Sequence, residues 1–191
     1  MKLLHIDSSA LGANSVSREL TAAIVNAWKQ REPGLEVTYR DLAANPLPHW
    51  LPVADAASQT AGDPIAELFA ADVIVIGAPM YNFGIPSQLK AWIDRIVVAG
   101  KTFQYGANGP EGLAGGRKVI IAEARGGFYG ANTAAASIDF QEPYLRHIFN
   151  FIGITDVEFV RAEGIGMGPD QRAKAINDAH VDIETRLPVA A

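Results

Sequence analysis

Apolar positions along the chain follow two patterns that take turns from one end to the other. Short apolar runs at Leu3 to Ile6, Val73 to Ile76, Lys118 to Ala122 and Val157 to Val160 predict strands, and Leu35 to Tyr39 reads as another. Between them, apolar residues recur at helical spacing. Leu20, Ile24, Val25 and Trp28 form one stripe within Ser17 to Gln30, stopped by Pro33-Gly34. Leu89, Trp92, Ile93, Ile96 and Val97 form another, with Pro86 predicted at its first helical position. Ile65 to Ala70, Phe140 to Phe151 and Gln171 to Leu187 supply the remaining helices.

Val73 to Ile76 is β-branched without polar alternation, which suits a central parallel strand covered on both faces. Leu42 to Gly62, with Pro46, Pro48 and Pro52, predicts an irregular crossing with some helix near its end; Thr102 to Arg117, rich in Gly and turn residues, predicts a hairpin-like excursion. Five alternations of strand and helix predict an α/β fold: a doubly wound, five-stranded parallel sheet with helices on both faces, forming one domain over residues 1–191.

Composition narrows the function classes. Sixteen Lys+Arg against 21 Asp+Glu give a net charge of −5, which offers no footprint for nucleic acid or an anionic membrane surface. No cysteine is present, so disulfides, thiolate metal sites and a cysteine nucleophile are excluded. His49 and His180 make no metal-spaced cluster with carboxylates, His5 lies on a strand as a core residue, and no metal is expected. The N-terminal apolar stretch is too short for a signal peptide and no run could cross a bilayer, so a soluble cytoplasmic protein is expected.

In an open parallel sheet, ligands bind beyond the carboxyl ends of the strands. After the first strand comes Ser8-Ser9-Ala10-Leu11-Gly12-Ala13-Asn14-Ser15-Val16-Ser17, hydroxyls and backbone N–H groups at a helix N-terminus. That suits a phosphate monoester; alone, Asn14, Ser15 or Ser17 suits a plain helix cap as well. After the third strand, Met80-Tyr81-Asn82-Phe83-Gly84 can present amides to the edge of a flat heterocycle with aromatic surface beside it. After the fourth, Arg125-Gly126-Gly127 permits close backbone approach, or is a plain tight turn. Together the three loops lay out a site for a mononucleotide with a planar ring, as FMN is.

At these residues the sequence resembles the FMN-dependent azoreductases and NAD(P)H:quinone oxidoreductases, a flavodoxin-like family. The resemblance rests on Ser8-Ser9 with Ser15-Val16-Ser17, on Ala71 through Pro86 continuing to Arg95, on Arg125-Gly126-Gly127, and on Asp139 through Leu145 and Val157 through Gly164. It implies that Ser9, Ser15, Val16 and Ser17 hold the FMN phosphate, that Met80, Tyr81, Asn82 and Phe83 line the isoalloxazine, and that Ala124, Arg125, Gly126 and Gly127 meet its pyrimidine edge. The family usually carries Ser where this chain has Ala124, so only a backbone contact is implied there. It further implies NADH or NADPH as donor, a quinone or azo compound as acceptor, ping-pong turnover without an obligatory catalytic side chain, and a homodimer with sites at the interface, where Leu42–Gly62 and Phe128–Tyr129 would shape the substrate pocket. The alternative is a flavodoxin-type electron carrier, which the mild charge favours less.

Overall fold

The computed structural model describes residues 1–51 and 63–187. The chain runs β1 (Lys2–Asp7), α1 (Val16–Arg31), β2 (Glu36–Asp41), α2 (Pro64–Ala70), β3 (Val73–Pro79), α3 (Ser87–Ile96), β4 (Phe103–Gly106), β5 (Gly109–Gly112), β6 (Lys118–Arg125), α4 (Glu142–Phe151), β7 (Asp156–Glu163) and α5 (Pro169–Arg186). Five strands form one parallel sheet in the order β2-β1-β3-β6-β7. Every residue of β3 is buried, as its uninterrupted apolar run requires.

Successive residues of each strand feed opposite faces. Leu4, Ile6, Ile74, Ile76, Val119 and Ile121 pack against Leu89, Trp92 and Ile93 of α3 and Leu145 and Phe149 of α4. Leu3, Val73, Val75, Ile120 and Ala122 pack against Leu20, Ile24 and Trp28 of α1 and Ala175, Ala179 and Ile183 of α5. Helices therefore cover both faces, and the strand order reverses between β1 and β3, opening a crevice at their carboxyl ends.

Three of the boundaries that differ from the sequence expectation bear on the site. Pro86 is the N-cap residue of α3 rather than its first helical residue, so its missing N–H falls one position earlier. Helix α4 starts at Glu142 instead of Phe140, because the Asp139 carboxylate takes the N–H groups of Gln141 and Glu142 and fixes the entry there. The fourth strand continues to Arg125, so Ala124 and Arg125 are ladder residues. Of the predicted Leu42–Gly62 crossing, residues 52–62 lie outside the described residues.

The excursion at Thr102–Arg117 is the antiparallel hairpin β4–β5. It lies against the end of α4: a Cβ at Gly112 would come within 2.1 Å of the Gly153 nitrogen. Only glycine fits that backbone-to-backbone contact.

Candidate functional site

The crevice between β1 and β3 is walled by the loops that follow them, and these touch. The Tyr81 hydroxyl lies 3.2 Å from Ser9 Oγ and accepts from the Ala10 N–H at 3.3 Å. Ser8 Oγ donates to the Gly77 carbonyl of β3 at 2.6 Å, holding the base of the first loop to the sheet. Ser15 caps α1 by accepting from the Arg18 N–H, and its hydroxyl sits 3.1 Å from Ser17 Oγ. Ser9, Ser15, Val16 and Ser17 are all buried, while Ala10 to Asn14 are exposed.

The loop after β3 is a reverse turn. Tyr81 and Gly84 exchange both backbone hydrogen bonds, at 2.9 and 3.0 Å. Asn82 and Phe83 between them have φ of 49° and 69°. That is the geometry of a tight turn with two left-handed central residues, tolerable for Asn and strained for Phe. Strain of about 1–3 kcal/mol persists only where surroundings fix it. Here the Phe83 carbonyl accepts from the Phe140 N–H at 3.1 Å, and Met80 N–H donates to the Ala124 carbonyl at 2.9 Å. The Asn82 and Phe83 N–H groups have no partner among the described residues.

The third loop joins from the other side. The Arg125, Gly126 and Gly127 carbonyls accept from Ile165, Gly166 and Gly164 N–H. The Tyr129 ring lies against Gly127, where a Cβ would stand 3.3 Å from it, and meets Phe83 edge to face at 6.3 Å. The structure thus brings Ser9 and Ala10 against Tyr81, and Phe83 against Tyr129, around one rim. Arg125 departs from that picture: its side chain is fully buried and turns to Glu123, Asp139 and Gln141 at the entry to α4. Any contact it makes across the rim belongs to its backbone.

Two charged clusters that the sequence reading did not single out hold these loops. Arg18 forms a two-pronged pair with Asp41 at 2.7 and 2.8 Å and donates to the Ser9 carbonyl from Nε at 3.2 Å and Nη2 at 2.8 Å. Asp7 stands behind it, accepting from Thr21 and Tyr39 hydroxyls. The Arg18 hydrogen bond holds Asp41 down to about 2, while burial and the nearby Asp7 charge push the Tyr39 phenol up to about 12.

In the second cluster, Arg125 meets Glu123 at 2.6 Å, Asp139 at 3.1 Å and Glu163 at 3.3 Å. Arg125 also donates to Gln141 Oε1, and Gln141 Nε2 donates to the Ala78 carbonyl at 2.8 Å, tying the ends of β6 and β3 to the start of α4. Burial pushes Glu123 up to about 8, with Glu142 adding and Arg125 opposing. Its Oε1 has no hydrogen-bond partner among the described residues.

The fold and rim define a doubly wound α/β protein with a ligand crevice at its switch point. The chain belongs to the family described as flavodoxin-like fold, which matches residues 1–187. It is 58% identical to FMN-dependent NADH:quinone oxidoreductase 2 of Bradyrhizobium diazoefficiens over 94% of this chain and 95% of that one. It is 59% identical to FMN-dependent NADH:quinone oxidoreductase 1 of Xanthomonas axonopodis pv. citri, over 94% and 93%. Among solved structures, an azoreductase from Bacillus anthracis superposes with a TM-score of 0.88 at 29% identity, covering 98% of each chain. No helix among the described residues is long and apolar enough to cross a membrane.

Proposed function

We propose that this chain is an FMN-dependent oxidoreductase that uses NADH, or NADPH, to reduce quinones and to cleave aromatic azo compounds reductively. The observation that carries the reading is the Tyr81 hydroxyl standing on Ser9 and Ala10, which joins a hydroxyl-rich helix entrance to an aromatic turn with two N–H groups unpartnered among the described residues. Those are the donors that a phosphate and the polar edge of a flat ring require.

Ser9, Ser15, Val16 and Ser17 would hold the phosphate, the hydroxyls now paired as Ser9–Tyr81 and Ser15–Ser17 turning to it as charge-assisted donors. Met80, Tyr81, Asn82 and Phe83 would line the ring, with Gly126, Gly127 and the backbones of Ala124 and Arg125 along its pyrimidine edge. When bound, FMN supplies the two-electron store that the nicotinamide fills and the acceptor empties. The residues would bind and orient; no side chain is assigned an obligatory proton-transfer role, and water or a nearby hydroxyl would supply protons to the reduced acceptor. Cleaving one azo bond to two amines takes four electrons, hence two NADH.

Both reactants would use one face in turn, giving ping-pong kinetics. The protein would act as a cytoplasmic homodimer whose second copy covers the exposed Leu11, Phe83, Phe128, Ile138 and Phe140 at the rim. Anaerobic stopped-flow spectroscopy of the flavin-loaded protein is the test. NADH should bleach the flavin band on the turnover timescale and benzoquinone should restore it without any protein partner. Failure to bleach would overturn the enzyme reading, and bleaching without recovery by quinone would favour an electron carrier. Light scattering at micromolar concentration checks the dimer.

A further inference from the structure

We propose that Arg18 is the positioning residue that makes this site select a phosphorylated flavin over an unphosphorylated one. The inference rests on the phosphate reading given above and deepens it.

A trans peptide is planar, so its C=O and N–H point in opposite directions. Nε and Nη2 of Arg18 grip the Ser9 carbonyl at 3.2 and 2.8 Å. The N–H of that same peptide, on Ala10, is thereby aimed the other way, and it does point to the Tyr81 hydroxyl at 3.3 Å. The crevice therefore receives a donor. With the peptide turned over, it would receive a carbonyl oxygen, which repels a phosphate.

Arg18 can do this because its own orientation is settled. Asp41 holds it by two nearly equal hydrogen bonds, Tyr39 OH accepts from Nη1 at 3.2 Å, and Asp7 Oδ2 lies 3.6 Å from Nη1. Asp41 is fixed in turn by the Ala43 and Ala44 N–H groups, both at 3.0 Å. The planar guanidinium thus presents one edge to a carboxylate and the other to a carbonyl, a division that a lysine ammonium cannot copy. With Asp41 and Asp7 beside it, the Arg18 charge is largely answered locally. Its contribution to the anion is the direction of the Ser9–Ala10 peptide.

The test measures dissociation constants of FMN and riboflavin for the flavin-stripped full chain by fluorescence titration, in wild type, Arg18→Ala, Arg18→Lys and Asp41→Asn. Wild type should prefer FMN. Arg18→Ala should weaken FMN by about 10–100-fold, the range for hydrogen bonds to charged groups, and riboflavin by less than about twofold. Arg18→Lys should lose most of the preference, and Asp41→Asn should lose part of it. Equal losses for both flavins would mean a merely structural role and overturn the proposal. So would an Arg18→Lys protein that matches wild type, since charge alone would then suffice. If wild type itself binds riboflavin as tightly as FMN, the phosphate reading falls and this inference with it, an outcome visible without any variant. Should Arg18→Ala fail to fold, the nearly isosteric Asp41→Asn carries the same comparison: unchanged FMN preference there, with Arg18 freed, overturns the proposal.

Discussion

Two arginines anchor opposite sides of the rim, and water separates their behaviour. Arg18 keeps 18% of its side chain exposed and holds the first loop directly at the Ser9 carbonyl, braced by Asp41. Arg125 has none exposed and holds the second and third loops through Gln141. The acids beside them shift in opposite directions, Asp41 down to about 2 and Glu123 up to about 8. Near water, a charge-assisted hydrogen bond outweighs a small desolvation cost; in the buried centre the order reverses. Charge balance agrees. Glu123, Asp139, Glu142 and Glu163 surround three guanidiniums, those of Arg125, Arg146 and Arg161. A proton retained on Glu123 makes the cluster neutral.

Stability measurements can break this contrast, beginning at the buried centre. Arg125→Met should cost about 3–5 kcal/mol in urea unfolding, because it strands buried carboxylates; a cost below about 1 kcal/mol would remove the distinction between the two centres. Glu123→Gln should act mainly through pH. Its raised pKa means the Glu123 contribution is fully present below about pH 4.5 and is lost as pH rises through about 8, at up to about 1.4 kcal/mol per unit. The variant's stability curve should be flatter than wild type across that window, and parallel curves would show Glu123 to be ionised throughout.

At the exposed centre the sign inverts. Asp41 contributes stability above its ordinary value of 3.8, and this is lost as pH falls through about 2. Asp41→Asn should therefore cost about 1–2 kcal/mol at neutral pH after solvent screening, and nothing below pH 2, read from thermal unfolding at several pH values. The smallest effect belongs to the surface pair Lys90–Asp94, half exposed on α3. Lys90→Ala should change the denaturant midpoint by no more than about 0.5 kcal/mol equivalent.

Local pattern carried the elements whose reasons are local. The branched run of β3, the apolar stripe of α3 and the glycine-rich β4–β5 hairpin all appear where periodicity and turn chemistry put them. Arg125-Gly126-Gly127 reads as a ligand loop, or as a plain tight turn, because two positions without Cβ let the backbone come close. Yet strand alternation already placed Arg125 on the same face as Glu123, two residues earlier. That signal is legible in the sequence. The Arg18–Asp41 pair had none: the residues are 23 apart and meet only because β1 and β2 align in parallel, with Asp7 opposite Asp41. Gln141 likewise becomes a bridge only once α4 lands beside the ends of β3 and β6.

The glycine-on-glycine seat of the β4–β5 hairpin bears on how the molecule meets its surroundings. With Gly112 flush against Gly153, the hairpin sits directly on the backbone that follows α4. Tyr105, 77% exposed on β4, projects from that seat as a peg, its ring edge to face with Phe103 at 5.5 Å. Whatever approaches that side must conform to the peg, and its placement is inherited from two residues that carry no side chain at all.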